Sequence, residues 1–436
     1  VLICKQLASC LGFALLCVGP WAHAEAPKSV NFQVDTLHPG VEVNRQVTAG
    51  FNFGNWMNMA EFGQVMSANV PPATLRFPGG NVGDDQDMNE PVLDLFATNL
   101  KLLHAENIPV IIQTRTFPGR GSSVPKNRPE DAATAARLAA ERKINVAYWQ
   151  VGNEPDLYPV TRGDPSWTAE HYCEVFRAQA MAIKAVDPSA KFAGPGVSGA
   201  VPAASDYLKT FVKHCGDVVD MLTWHIYPTD GTGAEESALA KISEPEYWLA
   251  EYRKNWEDPA KNPLGYQRKI EFGMTEYGLS WSTNKSNLLA DMPAAMFAVE
   301  TALRMARAGM HAAYYFAYQG VGFHGLLDQD GFPRPSYYGF RMIHDLKGHF
   351  VELACNDKEV WANAVQDGNK LNLIVMNTSK EERSLSLMMP GWIFVKGQWF
   401  DVGVVENESP VVALESATSA RIPGRSMARL EFVATP

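Results

Sequence analysis

The feature that most restricts the fold is a long alternation of strand-like and helix-like stretches between about residues 48 and 350. Short runs rich in β-branched and aromatic residues read as strands at Ala49–Phe53, Ala73–Phe77, Pro109–Thr114, Val146–Val151, Lys191–Gly194, Val219–His225, Lys269–Thr275 and Ala312–Tyr318. Helical periodicity falls between them, at Ala60–Asn69, Val92–Glu106, Pro129–Arg142, Ala169–Val186, Tyr207–His214, Glu244–Trp256 and Pro293–Ala308. Tyr337–Lys347 supplies an eighth helix after the last strand. Eight strands alternating with eight helices are the count of a (β/α)8 TIM barrel. A doubly wound open sheet is the competing α/β solution, but the glycine-rich phosphate turn it would carry is missing from the sequence.

Beyond Glu359 the texture changes. Leu371–Met376, Ser384–Met388, Ile393–Val395, Val411–Leu414 and Arg429–Val433 are short β-like runs divided by turn residues. They predict a C-terminal β-sandwich of roughly 80 residues. Ser29–Val34 is also strand-like and is expected to join that sandwich, tying the two chain ends together. The expected organisation is a signal peptide over 1–24, an N-terminal strand segment over 25–47, a catalytic barrel over 48–350 and the sandwich over 351–436.

The signal reading rests on Lys5, the apolar stretch Leu11 to Val18 and the small-residue cleavage pattern Ala22-His23-Ala24. It predicts a secreted or periplasmic chain cut after Ala24. The apolar stretch is too short, and too soon broken by Gly19-Pro20, to serve as a membrane anchor. Leu16 is bulky where lipidation of Cys17 would want a small residue. Loss of Cys4, Cys10 and Cys17 with the signal leaves Cys173, Cys215 and Cys355, which lack zinc-like spacing. Buried free thiols are the favoured state for these, with a Cys173–Cys215 bridge as the alternative. A net charge of −10 with scattered Lys and Arg argues against a nucleic-acid partner and offers no basic groove for a highly sulfated polymer.

The chemistry concentrates in Tyr148-Trp149-Gln150-Val151-Gly152-Asn153-Glu154-Pro155-Asp156, where an apolar strand stops at an Asn-Glu pair. Pro155 is expected to press Glu154 towards an extended backbone and so aim its carboxylate. A second acidic residue, Glu276, follows in a similar setting within Ile270-Glu271-Phe272-Gly273-Met274-Thr275-Glu276-Tyr277-Gly278. By strand count Glu154 ends the fourth strand and Glu276 the seventh, so both reach the C-terminal mouth, where barrel chemistry resides. Two such carboxylates suit glycosidic-bond cleavage with retention, which sets them about 5–5.5 Å apart. Asn153 is placed to bond a sugar 2-hydroxyl. Metal-dependent hydrolysis would want clustered ligands such as His-x-His, which the ten histidines never form. No metal or other cofactor is therefore expected. A non-catalytic sugar-binding barrel is the alternative of another class, and it would be expected to have lost one of the glutamates.

In order along the chain, these segments resemble the motifs of clan A glycoside hydrolases. More narrowly they are similar to the heparanase and β-glucuronidase family (family 79-like). The resemblance rests on Thr74-Leu75-Arg76-Phe77-Pro78-Gly79-Gly80, Trp149 to Pro155, Thr223-Trp224-His225-Ile226-Tyr227, Thr275-Glu276 and Asp328 to Tyr338. Arabinofuranosidase and β-xylosidase families of the clan share parts of this set, and the Arg-x-Pro-Gly-Gly form leans towards the former. The resemblance implies Glu154 as acid/base and Glu276 as nucleophile, with Tyr227 bonded to Glu276. It further implies that His225 lines the sugar subsite and that Arg76 balances carboxylate charge. The chain departs from the heparanase group after the nucleophile, where Tyr277-Gly278-Leu279-Ser280-Trp281 replaces a glycine triplet, and at His324, which stands where a tyrosine is expected. His324 or Arg115 then becomes the candidate partner for a uronate carboxylate. Trp56, Trp167 and Trp281 are candidates to stack on sugar faces, with core packing as the alternative for each. The combined expectation is a retaining β-glycosidase acting on polysaccharides or oligosaccharides, a β-glucuronidase or heparanase-like enzyme, with α-L-arabinofuranosidase or β-xylosidase activity as the alternative. Carbohydrate is the expected partner, and the oligomeric state stays open.

Overall fold

A computed structural model of the chain describes residues 26–57, 68–117, 128–199, 201–263, 265, 268–282, 286–401, 411–414 and 418–435. The expected signal segment and most of the predicted helix Ala60–Asn69 lie outside them.

The chain opens with two short strands, β1 (Lys28–Val30) and β2 (Phe32–Asp35). The barrel follows: β3 (Gly50–Asn52), β4 (Thr74–Phe77), β5 (Val110–Thr114), β6 (Val146–Val151), β7 (Phe192–Val197), β8 (Met221–Ile226), β9 (Glu271–Tyr277) and β10 (Ala312–Tyr315). These eight close into a single barrel in chain order, β10 pairing back onto β3, so the predicted barrel is the observed one. Helices α1 (Glu90–Leu102), α2 (Pro129–Glu141), α3 (Ala169–Val186), α4 (Pro202–Cys215), α5 (Glu244–Glu257), α6 (Met292–Arg307) and α7 (Pro335–Arg341) flank it. All but α3 carry proline in the first turn, where the missing N–H has no helical partner to lose. Thr168 caps α3 instead, its hydroxyl accepting the His171 N–H at 3.3 Å.

Two slips in strand pairing shape the mouth of the barrel. Between β7 and β8 the register steps from Pro195↔Thr223 to Val197↔Trp224, leaving Gly196 as an extra residue at φ 69°. Between β8 and β9 it steps from Trp224↔Met274 to His225↔Glu276, leaving Thr275 extra. Such bulges bend a strand and re-aim its side chains.

The rest of the chain adds β11 (His349–Cys355), β12 (Val360–Asp367), β13 (Lys370–Asn377), β14 (Arg383–Ser386), β15 (Trp392–Phe400), β16 (Val412–Ala413), β17 (Ser419–Ile422) and β18 (Ser426–Ala434). They form a seven-stranded sheet, β16-β15-β18-β13-β12-β11-β2, and a three-stranded sheet, β1-β14-β17. The N-terminal segment therefore joins the sandwich as expected, and joins both sheets. β1 runs parallel to β14, and after Asn31 the chain crosses to pair β2 antiparallel to β11. Val30 and Phe32 are both buried in a core with Leu373, Leu385 and Leu430. Strands β11, β12 and β17 escape the sequence reading. Buried Asn363 and small Ala362 and Ala364 blunt the alternation of β12, and β17 hides only Ala420 and Ile422.

The preference for free thiols is overturned at one pair. Cys173 on α3 and Cys215 at the end of α4 form a disulfide with a Cα–Cα distance of 5.9 Å. Packing of α3 on α4 buries both sulfurs in one seam, which spacing along the chain does not reveal. Cys355 stays free and half-buried.

Candidate active site

The alternation of β9 begins with Glu271 bonded to Tyr148 across the barrel, and Gly273 facing Met221. Phe272 and Met274 point the other way, into the shell packed against the helices. Continued without interruption, that alternation would carry Glu276 outward with Met274. The bulge at Thr275 shifts the phase by one residue and delivers Glu276 to the interior beside His225.

Glu154 lies three residues past the end of β6 and is left-handed, at φ 46° and ψ 54°. The expectation of an extended backbone is corrected here. The proline rule disfavours a right-handed helical residue before Pro155, and tertiary contacts then select the left-handed basin. The Glu154 N–H donates to the Gly196 carbonyl in the β7 bulge at 3.0 Å, and its carbonyl accepts the Leu157 N–H at 2.9 Å. A non-glycine residue held there costs of order 1–3 kcal/mol, and such strain clusters at functional sites.

Arg76 is fully buried and braces four strand ends. Its Nε donates to Gln150 Oε1 at 2.9 Å, Nη1 to Asn52 Oδ1 at 2.9 Å and Glu276 Oε1 at 2.8 Å, and Nη2 to Asn153 Oδ1 at 2.7 Å. Because a guanidinium only donates, the Asn153 amide must turn its oxygen inward, and its NH2 then donates to Asn81 Oδ1 at 2.9 Å. The second oxygen of Glu276 accepts the Tyr227 hydroxyl at 2.9 Å. His225, on the same strand as Thr223, brings Nδ1 to 2.8 Å from Glu154 Oε1 and 3.7 Å from Glu276 Oε2. One carboxyl oxygen of each glutamate and a His225 nitrogen lie within 4.8 Å of one another.

The two carboxyls sit in opposite electrostatic surroundings. Burial pushes Glu154 above the usual carboxylate range, and the His225 hydrogen bond only partly opposes it. Burial also acts to raise Glu276, but His225, the Arg76 charge and the bonds from Arg76 and Tyr227 outweigh it and hold that carboxyl low. The trio Glu154, His225 and Glu276 is close enough to grip a metal ion. Yet both Glu276 oxygens already accept hydrogen bonds, and a guanidinium stands 2.8 Å away, a setting that repels a cation.

The remaining candidates divide. His324 is 7% exposed and meets Tyr227 and Phe316 edge to face at 6.2 and 5.8 Å. Burial lowers its imidazole to about 4 despite the nearby Glu276, so it is neutral at pH 7 and no charged partner for a uronate. Arg115 is engaged too, with Nη2 on Asp131 at 2.7 Å and 3.9 Å from Asp87. Trp167 is core, packed on Phe117 and Tyr158. Trp56 is half-buried beside Phe316, whose ring also meets His324. Trp281 follows β9 and is 65% exposed, with its backbone N–H donating to Thr229 O at 3.3 Å.

The sequence reading missed Asn52, Gln150, Asn81 and Asp84. Asn52 and Gln150 are wholly buried polar residues in otherwise apolar strands, a signal that was available in the sequence.

Comparison with known proteins points in the same direction. The family model of Glycosyl hydrolases family 39 matches residues 141–385, more than half of the chain. A β-xylosidase of Caldicellulosiruptor saccharolyticus is 29% identical over 259 residues, 54% of this chain and 49% of that protein. A heparanase of Rattus norvegicus is 25% identical over 206 residues, 46% of this chain and 37% of that protein. The chain thus matches half or less of the length of these curated relatives. In three dimensions it resembles an α-L-arabinofuranosidase from Thermotoga maritima, with a TM-score of 0.67 and 17% identity over 92% of this chain and 99% of the other. At that identity the likeness speaks for the fold alone.

Proposed function

The chain belongs to Glycosyl hydrolases family 39, and from that premise we propose that it is a retaining β-glycosidase with Glu154 as acid/base and Glu276 as nucleophile. The observation that carries this reading is the approach of one oxygen from each carboxyl to within 4.8 Å, in surroundings that push the two pKa values apart. Inverting enzymes hold their carboxyls about 6.5–9.5 Å apart to seat a water between them, and this pair leaves no such room. In the first step Glu276 attacks the anomeric carbon while Glu154 passes its proton to the departing oxygen. In the second, Glu154, now ionised, takes a proton from water, whose oxygen attacks the same carbon and releases Glu276. Arg76 and Tyr227 favour an ionised, oriented Glu276, and burial favours the proton on Glu154. The Asn153 NH2 spends one hydrogen on Asn81 and keeps a second for a bond to the sugar 2-hydroxyl.

The sugar is a neutral one, and β-xylosides are the favoured substrates. Among the described residues, Arg76 and Arg115 beside the site are already paired with carboxylates. Arg76 is consumed by the brace and Arg115 by Asp131, while Arg334 spends its N–H donors on the carbonyls of Gly322 and His324. A uronate would have to displace an existing carboxylate from Arg76 or Arg115, or carbonyls from Arg334. Similarity to a β-xylosidase supports the same choice. Export to an oxidising compartment is part of the proposal, supported by the Cys173–Cys215 disulfide and the signal-like residues 1–24. The test is a set of aryl glycosides (β-xyloside, β-glucuronide and α-L-arabinofuranoside), with the anomer of the first-released sugar read by NMR. Preferred cleavage of the β-xyloside with β-xylose released first is expected. Preference for the glucuronide would overturn the substrate, and release of the α-anomer from the β-xyloside would overturn the mechanism.

A further inference from the structure

Below the Asn153–Glu154 turn lies a carboxylate that the reaction does not use. Asp84 is 2% exposed, in the one-turn helix that follows Gly79-Gly80. Its Oδ1 accepts the backbone N–H of Asn153 at 2.6 Å, the hydroxyl of Tyr158 and, at 3.4 Å, that of Thr116. Its Oδ2 faces Arg162 at 3.4 Å. The Tyr158 hydroxyl also accepts the Asn153 N–H, at 3.2 Å, so one amide is gripped by two oxygens. Gly152 is needed at this point, since a Cβ there would fall 2.4 Å from the Tyr158 hydroxyl and 3.0 Å from Asp84 Oδ1. Asp84 also reaches the neighbouring loop through its backbone carbonyl, which accepts the N–H groups of Thr116 and Phe117 at 3.0 and 2.9 Å.

A buried carboxylate is costly, and its bonds normally converge on what it secures. Here they converge on the amide immediately before the left-handed Glu154. We infer that Asp84, locked by Tyr158, is a positioning residue that holds the Asn153–Glu154 turn in the strained geometry aiming Glu154 at the leaving oxygen. The inference rests on the reading of Glu154 as acid/base. Burial pushes the Asp84 carboxyl up to about 7, against the bonds from Tyr158 and Asn153. Tyr158 and Arg162 face it from the segment after Glu154, Asp85 from its own turn and Tyr172 from α3.

A misplaced acid has a signature that general destabilisation lacks. Departure of 2,4-dinitrophenolate needs no proton, whereas departure of phenolate needs one. The experiment compares kcat/KM on 2,4-dinitrophenyl and phenyl β-xylosides for the wild type, Glu154→Ala, Asp84→Ala, Asp84→Asn and Tyr158→Phe. A well-placed acid contributes about 100-fold or more. Asp84→Ala is expected to lose about 10- to 100-fold on the phenyl substrate and less than about threefold on the dinitrophenyl one, with Asp84→Asn between it and the wild type. Equal losses on both substrates would overturn the inference, as would no loss on either. Should Asp84→Ala not fold, Asp84→Asn and the isosteric Tyr158→Phe decide, and they must display the same selective loss. If Glu154→Ala itself lacks that selectivity, the acid/base assignment falls first, an outcome separate from failure of Asp84 alone.

Discussion

Two carboxyls this close cannot both ionise without mutual cost, so their neighbours decide which keeps the proton. Glu276 is held low and Glu154 high, which widens the pH window in which one is charged and the other protonated. kcat/KM should therefore be bell-shaped. It should fall on the acid side below the ordinary carboxylate range, as Glu276 takes up a proton, and on the basic side above it, as Glu154 loses one. A profile measured on the Glu154→Gln variant with an activated substrate should keep the acidic limb and lose the basic one. Tyr227→Phe removes a hydrogen bond that favours ionised Glu276, so the acidic limb should move to higher pH. The loss of one such charge-assisted bond is expected to lower kcat/KM about 10- to 100-fold. A Tyr227→Phe profile whose acidic limb stays in place would contradict the assigned bond.

At the scale of the element, bulges place both acids. The Gly196 bulge in β7 offers the carbonyl that fixes Glu154, and the Thr275 bulge in β9 turns Glu276 inward. Gly196 sits at φ 69°, and an added Cβ would fall 2.5 Å from Gln150 Nε2, itself part of the Arg76 brace. Gly196→Ala should cost about 1–3 kcal/mol in a urea melt, and lower kcat/KM by about tenfold or more as the brace shifts. Unchanged kinetics would mean the bulge is not what holds the acid. The α3–α4 disulfide closes a separation of 42 residues. Its removal by Cys215→Ser should cost about 3–4 kcal/mol by the loop-entropy relation, read as the difference between denaturation midpoints of the two proteins.

Across the whole molecule, one N-terminal segment stitches the sandwich at both sheets, and the sandwich meets the barrel through buried apolar residues such as Ile374, Met376 and Met427 together with a few buried polar groups. Glu300 on α6, 2% exposed, accepts from Arg304 at 2.7 Å and from Asn363 of β12 at 2.7 Å. Phe32→Ala should destabilise the fold by about 3–5 kcal/mol, while kcat/KM per folded molecule stays near wild type, because the core it leaves lies in the sandwich. Thermal unfolding alongside active-site titration checks both halves of that statement. The barrel was legible in the sequence because strand and helix periods alternate eight times and prolines mark most helix starts; those are local properties of the chain. The two glutamates stood out in the sequence because each closes an apolar strand, and a pair of them at the predicted C-terminal mouth is less ordinary than one. Three things were not legible: the phase shift that brings Glu276 inside, the left-handed turn of Glu154, and the gathering of Asn52, Asp84, Gln150 and Cys173–Cys215 with their partners. Each depends on contacts between segments tens to hundreds of residues apart, and only closure of the barrel brings those segments into register.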